Sequence, residues 1–502
     1  MRRRGWRSVL LVLVVCAAVG LPAAVAAGSA GTSSAGPVDR PHTAGRFLTD
    51  SRGRALVIAG VNMVYKLAPY RPDAVGFGDD DAAFLARNGF TAVRLGLIWK
   101  AVEPRPGVYD DDYLAHIRRT VETLHAHGIR TLLDFHQDLY NEKFQGEGAP
   151  DWAVDDNGVP NRPQAGFPAN YFVNPALNRA FDNFWNNAPA PDGVGLVDHY
   201  AAAWRHVATY FTGTAGVMGI DVFNEPWPGS LFAACIPLGC HALDAKLQRM
   251  TQKVVDAVHG VDPGLPVFYE PSVLFNSGVQ TYVRPTGADL GFSFHDYCIS
   301  HSLKLGGVNL TGAGCDVMND RVWSNMERHL RLTGATPLLT EFGATTDQTV
   351  LSDMVDRAAR HRVGWMYWAY CGCGDPTTSG AGAEQALVLD PSKPPTGDNV
   401  ERAKLRTLAV PHPAAVSGTP TAYSFDRSTG VLTAAWTTQA AAGSGSFGAG
   451  ARTRIATPAV EYPDGYTADV QGATVVSGPD APWLVVAQRP GATRVGVTVS
   501  PR

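Results

Sequence analysis

From His42 to Val410 the chain alternates between short apolar runs of strand length and longer stretches in which apolar residues recur every three to four positions. Alternation of this kind commits a chain to a parallel sheet with crossover helices packed outside it. The apolar runs fall at approximately Leu56–Met63, Ala92–Leu97, Arg130–His136, Gly219–Asn224, Val267–Glu270, Gly291–His295, Pro337–Glu341 and Gly364–Trp368. Among the connecting stretches, Asp111–His127 places Tyr113, Leu114, Ile117, Val121 and Leu124 on one helical face. Eight such units predict a closed α/β barrel of the (β/α)8 TIM type over residues 45–410. From Pro411 the composition shifts to Thr, Val, Ala, Gly and Pro. Runs such as Gly430–Thr438, Tyr466–Val470, Ala473–Val476 and Trp483–Ala487 predict a small all-β sandwich over residues 411–502, with Ala440–Gly450 as a loop. Trp436 and Trp483 lie in strand-like runs, where core packing is the expected role.

Barrel enzymes carry their chemistry at the C-terminal ends of the strands, so the polar residues that finish these runs are the informative ones. They are Asn62, Arg94, His136, Asn224 with Glu225, Glu270, His295 with Tyr297, Glu341 and Trp368. Taken singly, each has a structural reading as a group that closes the barrel. Together they place charge where desolvation is costly unless the groups pair or work. Glu225 follows the run Ile220-Asp221-Val222-Phe223-Asn224, and Glu341 ends Pro337-Leu338-Leu339-Thr340. Two carboxylates so placed suit a retaining glycosidase, in which one protonates the leaving oxygen and the other attacks the anomeric carbon. In this scheme Glu225 is the acid, protonated by virtue of partial burial and an ionised neighbour, and Glu341 is the nucleophile. Arg94 holds Glu341 ionised and Tyr297 orients it. Asn224 donates to the hydroxyl beside the reacting carbon. His136 and His295 hydrogen-bond sugar or acid, and Trp368 forms an apolar platform.

The N-terminus reads as an export leader. Arg2, Arg3, Arg4 and Arg7 precede an apolar run from Val9 to Val19, and small residues around Ala24–Ala27 suit cleavage, giving a leader of residues 1–27 and a disordered lead of 28–44. The run is shorter than a spanning helix. A secreted, extracellular protein is expected. Removing four arginines and no acid moves the formal charge from −4 to −8, which argues against nucleic acid as a partner. Six cysteines then remain, an even number that favours disulfides over metal ligation. Cys235 with Cys240 and Cys298 with Cys315 are the attractive local pairs. Cys371 and Cys373 are harder to place, because a bond across one glycine is expected to be strained.

The order arginine, histidine, Asn-Glu, His-x-Tyr, glutamate, tryptophan resembles the site of glycoside hydrolase family five, a member of a clan of (β/α)8 retaining glycosidases; here it is Arg94, His136, Asn224-Glu225, His295-Asp296-Tyr297, Glu341 and Trp368. Within that family the chain is similar to the endoglycoceramidases, secreted enzymes that release intact oligosaccharide from glycosphingolipids. The likeness rests on Asp134-Phe135-His136-Gln137-Asp138, Gly146-Glu147-Gly148-Ala149-Pro150-Asp151-Trp152-Ala153, Phe223-Asn224-Glu225-Pro226-Trp227 and Thr340-Glu341-Phe342-Gly343. It implies a cofactor-independent monomer without a catalytic metal, acting on a glycosphingolipid or another β-glycoside with peripheral lipid contact. It also implies that Asp138 and Lys66 contact the sugar nearest the ceramide; for Lys66, a solvated loop lysine is the other reading. Glu270, before Pro271, competes with Glu341 for the nucleophile's place, and the resemblance assigns that place to strand seven. Two hydrocarbon tails call for an apolar groove, with Leu231, Phe232, Ile236, Leu274 and Phe275 as candidates unless they pack under their own loops. A β-glucosylceramidase, an enzyme for galactose-series lipids or an endo-β-glucanase would use the same barrel chemistry, and a non-catalytic carbohydrate-binding protein would not need both glutamates.

Overall fold

The computed structural model describes residues 40–236, 239–297, 304–305, 308–309, 314–378 and 382–502. The expected leader and Cys298 lie outside these residues. Eight parallel strands form the barrel: β1 (Ala59–Met63), β2 (Ala92–Leu97), β3 (Arg130–Phe135), β4 (Val217–Asp221), β5 (Val267–Tyr269), β6 (Leu290–His295), β7 (Thr336–Glu341) and β8 (Gly364–Tyr367). Each pairs with the next in chain order, and β8 pairs with β1 to close the ring. The strands are apolar almost throughout because helices cover one face and the barrel interior fills the other. Gly291 in β6 has a packing reason: a side-chain carbon there would meet the ring of Phe268 at 2.2 Å.

The helix Asp111–Ala126 follows its sequence pattern. Tyr113, Leu114, Ile117, Val121 and Leu124 are buried, and the Asp110 carboxylate accepts the Tyr113 backbone N–H as an N-cap, an interaction typically worth about 1 kcal/mol.

The C-terminal region is a two-sheet sandwich. One sheet contains Thr419–Asp426, Val431–Thr437, Arg494–Pro501 and Tyr466–Gln471 in spatial order. The other runs His42–Ala44, Phe47–Thr49, Ala55–Leu56, His412–Val416, Arg452–Ala456, Trp483–Gln488 and Ala473–Val475. Between them lie Val416, Leu432, Trp436, Ile455, Leu484, Val486, Val495, Val497 and Val499. Trp436 is therefore core, whereas Trp483 is half-buried and carries the Arg454 guanidinium 3.6 Å from its ring centre. Ala440–Gly450 contains no strand.

Strand membership at the N-terminal side differs from the sequence reading: His42–Ala44, expected in the disordered lead, is a strand paired with Phe47–Thr49. The apolar run expected to be a single first barrel strand is shared between two sheets: Ala55 and Leu56 pair with Val416 and Ala415, and the barrel strand begins only at Ala59. The partner that draws Ala55 and Leu56 away lies some 360 residues downstream, a separation no local pattern reports. Leu48, Leu56 and Ala415 pack with the barrel-interior residues Ala92, Leu132, Met218, Phe268, Leu338 and Met366, so the sandwich seals the end of the barrel opposite the site.

Cys235 and Cys240 are bonded, as the local spacing suggested; Cys371 and Cys373, a pairing the sequence left open, are bonded across their single glycine; Cys315 is also disulfide-bonded.

Candidate active site

The C-terminal ends of the barrel strands bring the predicted residues together around Arg94. This side chain rises from β2 into the barrel and is fully buried. Its Nε donates to Asp221 at 2.9 Å, Nη1 to Glu341 at 2.6 Å and to Asn62 Oδ1 at 3.2 Å, and Nη2 to Asn224 Oδ1 and Glu270 Oε1 at 3.0 Å each. Asp134 lies 3.0 Å from the same Nη2. Burial alone would lower the guanidinium's affinity for its proton, but Asp134, Asp221, Glu341 and Glu270 together outweigh it and raise the pKa.

Glu341 ends β7 with its two oxygens in different hands: Arg94 donates to Oε1 and the Tyr297 hydroxyl to Oε2 at 2.8 Å. Burial raises the Glu341 carboxyl above its ordinary value, with His295 and Arg94 pulling the other way. Glu225 follows β4 with its backbone in the left-handed region, φ 45°. A non-glycine residue is held there only when its surroundings fix it. Here the Gln137 amide donates to the carbonyls of Asn224 (2.8 Å) and Glu225 (3.2 Å), and Glu270 Oε2 accepts the Glu225 N–H at 2.9 Å. Asn276 donates to Glu225 Oε1 at 3.0 Å. His295 Nδ1 lies 2.8 Å from the same oxygen and 3.5 Å from Glu341 Oε2, while its Nε2 is 3.3 Å from Glu270. Burial opposes protonation of His295, but Glu270, Glu341 and Glu225 override it and raise its pKa. One oxygen of Glu225 and one of Glu341 lie within 4.8 Å of each other.

Glu270 therefore stands inside the site, but both its oxygens are engaged, one by Arg94 and one by the Glu225 backbone.

A second cluster adjoins the first. His136 Nδ1 meets Asp134 at 2.7 Å and its Nε2 lies 3.5 Å from Asp138. Burial would lower its pKa, but Asp134 above all pushes it up to about 9. The imidazole stacks on Trp368 with ring centres 5.1 Å apart. Lys66 is buried, against the solvated reading, and donates to Asp138 at 2.7 Å and to the Thr377 hydroxyl at 2.8 Å, with its ammonium 4.6 Å over the Trp368 ring. Asp138 is held below the usual carboxylate range: its burial acts upward, but Lys66 and His136 more than offset it. Glu147, fully buried beside them, is pushed well above the usual range by burial.

Among the described residues, two groups have the donor chemistry of a cation site, His136 with Asp138 and Glu147, and Glu225 with His295 and Glu341. In each, the chain supplies positive charge itself, through Lys66 and Arg94.

The sequence reading did not assign roles to Asp134, Asp221, Gln137, Glu147, Asn276, Asp375, Thr377 or Gln385. Asp134, Gln137 and Glu147 lie within the motifs quoted above and Asp221 within the run before Glu225, a signal that was available. Asn276, Asp375, Thr377 and Gln385 sit in loops with no pattern to mark them. Of the apolar groove candidates, Leu274 and Phe275 are buried, the latter against Phe292 and Phe294. Phe232 stacks on Trp227, and Ile236 is 53% exposed.

A closed parallel barrel with a glutamate pair converging from β4 and β7 on one histidine defines a glycoside hydrolase. The family model described as cellulase (glycosyl hydrolase family 5) matches residues 50–374, and that of the glycoside hydrolase family 5 C-terminal domain matches residues 411–499. The chain belongs to glycoside hydrolase family 5, as an endoglycoceramidase-like member whose family characteristically uses a retaining mechanism. It is 34% identical over 459 residues to endoglycoceramidase I of Rhodococcus hoagii, covering 90% of this chain and 86% of that one. Endo-glycoceramidase II from Rhodococcus sp., solved as a lactosyl-enzyme intermediate, superposes with a TM-score of 0.74 at 29% identity over 91% of this chain and 99% of that one. The same enzyme in a ganglioside GM3 complex gives 0.73 at 28%, with the same coverage.

Proposed function

We propose that this protein is a secreted retaining endo-β-glycosidase that hydrolyses the bond between the oligosaccharide and the ceramide of glycosphingolipids. The observation that carries the chemistry is the Glu225–Glu341 interval. Oxygens within 4.8 Å of each other suit a retaining pair, with carboxyls about 5–5.5 Å apart, whereas an inverting pair stands about 6.5–9.5 Å apart to admit a water. Glu225 gives its proton to the glycosidic oxygen as the bond from that oxygen to the anomeric carbon breaks, and ceramide leaves as the neutral alcohol. Glu341 closes on the same carbon to form a glycosyl ester. A water then attacks, Glu225 takes its proton, and the ester bond breaks to return Glu341 as a carboxylate. Arg94 and Tyr297 aim Glu341, the Asn224 amide donates to the neighbouring hydroxyl, and His136, Asp138 and Trp368 hold the sugar.

The choice of substrate draws on the likeness to the rhodococcal enzymes and on the apolar side chains at the barrel mouth. Phe172 (50% exposed) packs its ring against both members of the Phe232–Trp227 stack, and with the exposed Val173 (44%) and Ile236 (53%) it suits hydrocarbon tails or the surface of a lipid layer. Secretion rests on the leader-like residues 1–27.

The test is incubation with lactosylceramide and mass spectrometry of the products. Intact lactose with free ceramide supports the reading. Release of a single hexose would make the enzyme an exo-glycosidase. Turnover of soluble β-glucan with the lipid untouched would keep the chemistry and overturn the substrate.

A further inference from the structure

The turn after β8 carries a carboxylate that the catalytic scheme leaves without a task. The Asp375 side chain is 5% exposed. Its Oδ1 lies 3.2 Å from Lys66 Nζ and accepts from the Thr377 backbone N–H at 2.9 Å. Its Oδ2 accepts from the Gln385 amide at 3.0 Å, and Gln385 Oε1 in turn accepts the Trp368 indole N–H at 3.2 Å. One carboxylate thus reaches Asp138 through Lys66 and the aromatic platform through Gln385. An ammonium has three hydrogens to give. Asp138 and Thr377 each accept one from Lys66, and Asp375 pairs with the same ammonium as a salt bridge. The turn itself is fixed by the Cys371–Cys373 bond and by the Asp375 N–H donated to the Gly372 carbonyl at 2.8 Å.

We infer that Asp375 is a positioning residue of the sugar subsite: it sets Asp138 through Lys66 and Trp368 through Gln385, so recognition of the sugar depends on a carboxylate that does not touch it. This rests on the reading above that Asp138 and Trp368 face the sugar nearest the ceramide.

The experiment is a double-mutant cycle on hydrolysis of an aryl β-lactoside, using Asp375→Asn, Lys66→Met and the pair, with a melting curve for each. Asp375→Asn should melt cooperatively and lose on the order of ten- to a hundredfold in kcat/KM, the scale of a small misplacement in a positioned site. The pair should lose less than the product of the two single losses, because the residues share one contact. If Lys66→Met gives no folded protein, the cycle of Asp375→Asn with Gln385→Met reads the other arm, again with a sub-multiplicative loss expected. Multiplicative losses, or an Asp375→Asn enzyme within twofold of wild type, would overturn the inference alone. A folded wild type inactive on every β-glycoside would remove the parent reading and this one with it.

Discussion

Arg94 shows why one residue type is required at the centre of this site. Asp134, Asp221, Glu270 and Glu341 approach it from four strands or strand ends, and only a guanidinium presents five donors in a fixed plane while keeping its charge among them. Of these carboxylates, Glu341 has Tyr297 as its other donor, whereas Glu270 holds the backbone of Glu225. The two glutamates should therefore fail differently. With an activated aryl β-lactoside, Glu341→Ala should lose essentially all turnover and regain it with azide, yielding the α-glycosyl azide. Glu270→Ala should lose activity that azide does not restore; an azide-rescued Glu270→Ala would exchange the two assignments. As the proposed nucleophile Glu341 has to be ionised, and burial raises its pKa above the ordinary 4.5, so the acidic limb of kcat/KM should fall at a pH above that value, measurable on the same substrate. His136 has the opposite charge and a related consequence. Its folded pKa of about 9 exceeds the ordinary 6.5, so its stabilising contribution is complete below about pH 6.5 and is lost as pH rises through about 9. Asp296, raised by burial to about 7, contributes stability at low pH that is lost between about pH 4 and 7. The melting temperature should accordingly decline from pH 5 to 9, and His136→Asn should flatten the upper part of that decline.

At the scale of the elements, the site depends on how the end of β3 grips the end of β4. Gln137 donates to two carbonyls around Glu225, and the Asn224 amide returns a bond to the Gln137 carbonyl at 3.1 Å. Removing that grip should release Glu225 from its left-handed conformation. Gln137→Ala is expected to cost about 1–3 kcal/mol in stability through unsatisfied buried groups and to lower kcat on the order of tenfold or more, which urea unfolding and steady-state kinetics would separate. The barrel strands were legible because a strand buried on both faces is written as a continuous apolar run, and β2 matches its sequence bounds at both ends. The residues now seen at the strand ends were legible for the same reason: a charged or aromatic side chain that ends such a run has nowhere to point but the barrel mouth. Burial of Lys66 was not, since it is created by Thr377 and Asp375, which arrive about 310 residues later on a turn with no periodic pattern. The Cys371–Cys373 pairing was left open by the sequence, because chain separation says nothing of the backbone path between the two residues.

For the molecule as a whole, the sheet that sandwiches against the C-terminal strands also contains residues from the start of the described chain. Ala55 and Leu56 have His412–Val416 as their strand partner on one side, the Val57 N–H is donated to the Ala414 carbonyl at 3.1 Å, and Leu48, Leu56 and Ala415 complete the apolar packing at the base of the barrel. Polar contacts reinforce this junction: Arg427 pairs with Asp356 at 2.5 Å, and Arg362 donates to the Thr421 carbonyl at 3.0 Å. The barrel's closed end is thus built from both halves of the chain, and the family boundary at residue 411 is not a place where the protein can be divided without loss. A chain ending at residue 410 would leave an unpaired strand edge beside exposed Leu48, Leu56 and Ile58, the combination that promotes edge-to-edge association. Such a truncation should be recovered mainly as aggregate. Any soluble fraction should melt well below the full chain, and adding back residues 411–502 as a separate polypeptide should raise the soluble yield. Light scattering and thermal melting on the three preparations would check this, and a truncated barrel that is monodisperse with an unchanged melting temperature would mean that the sandwich contributes little to holding the barrel closed.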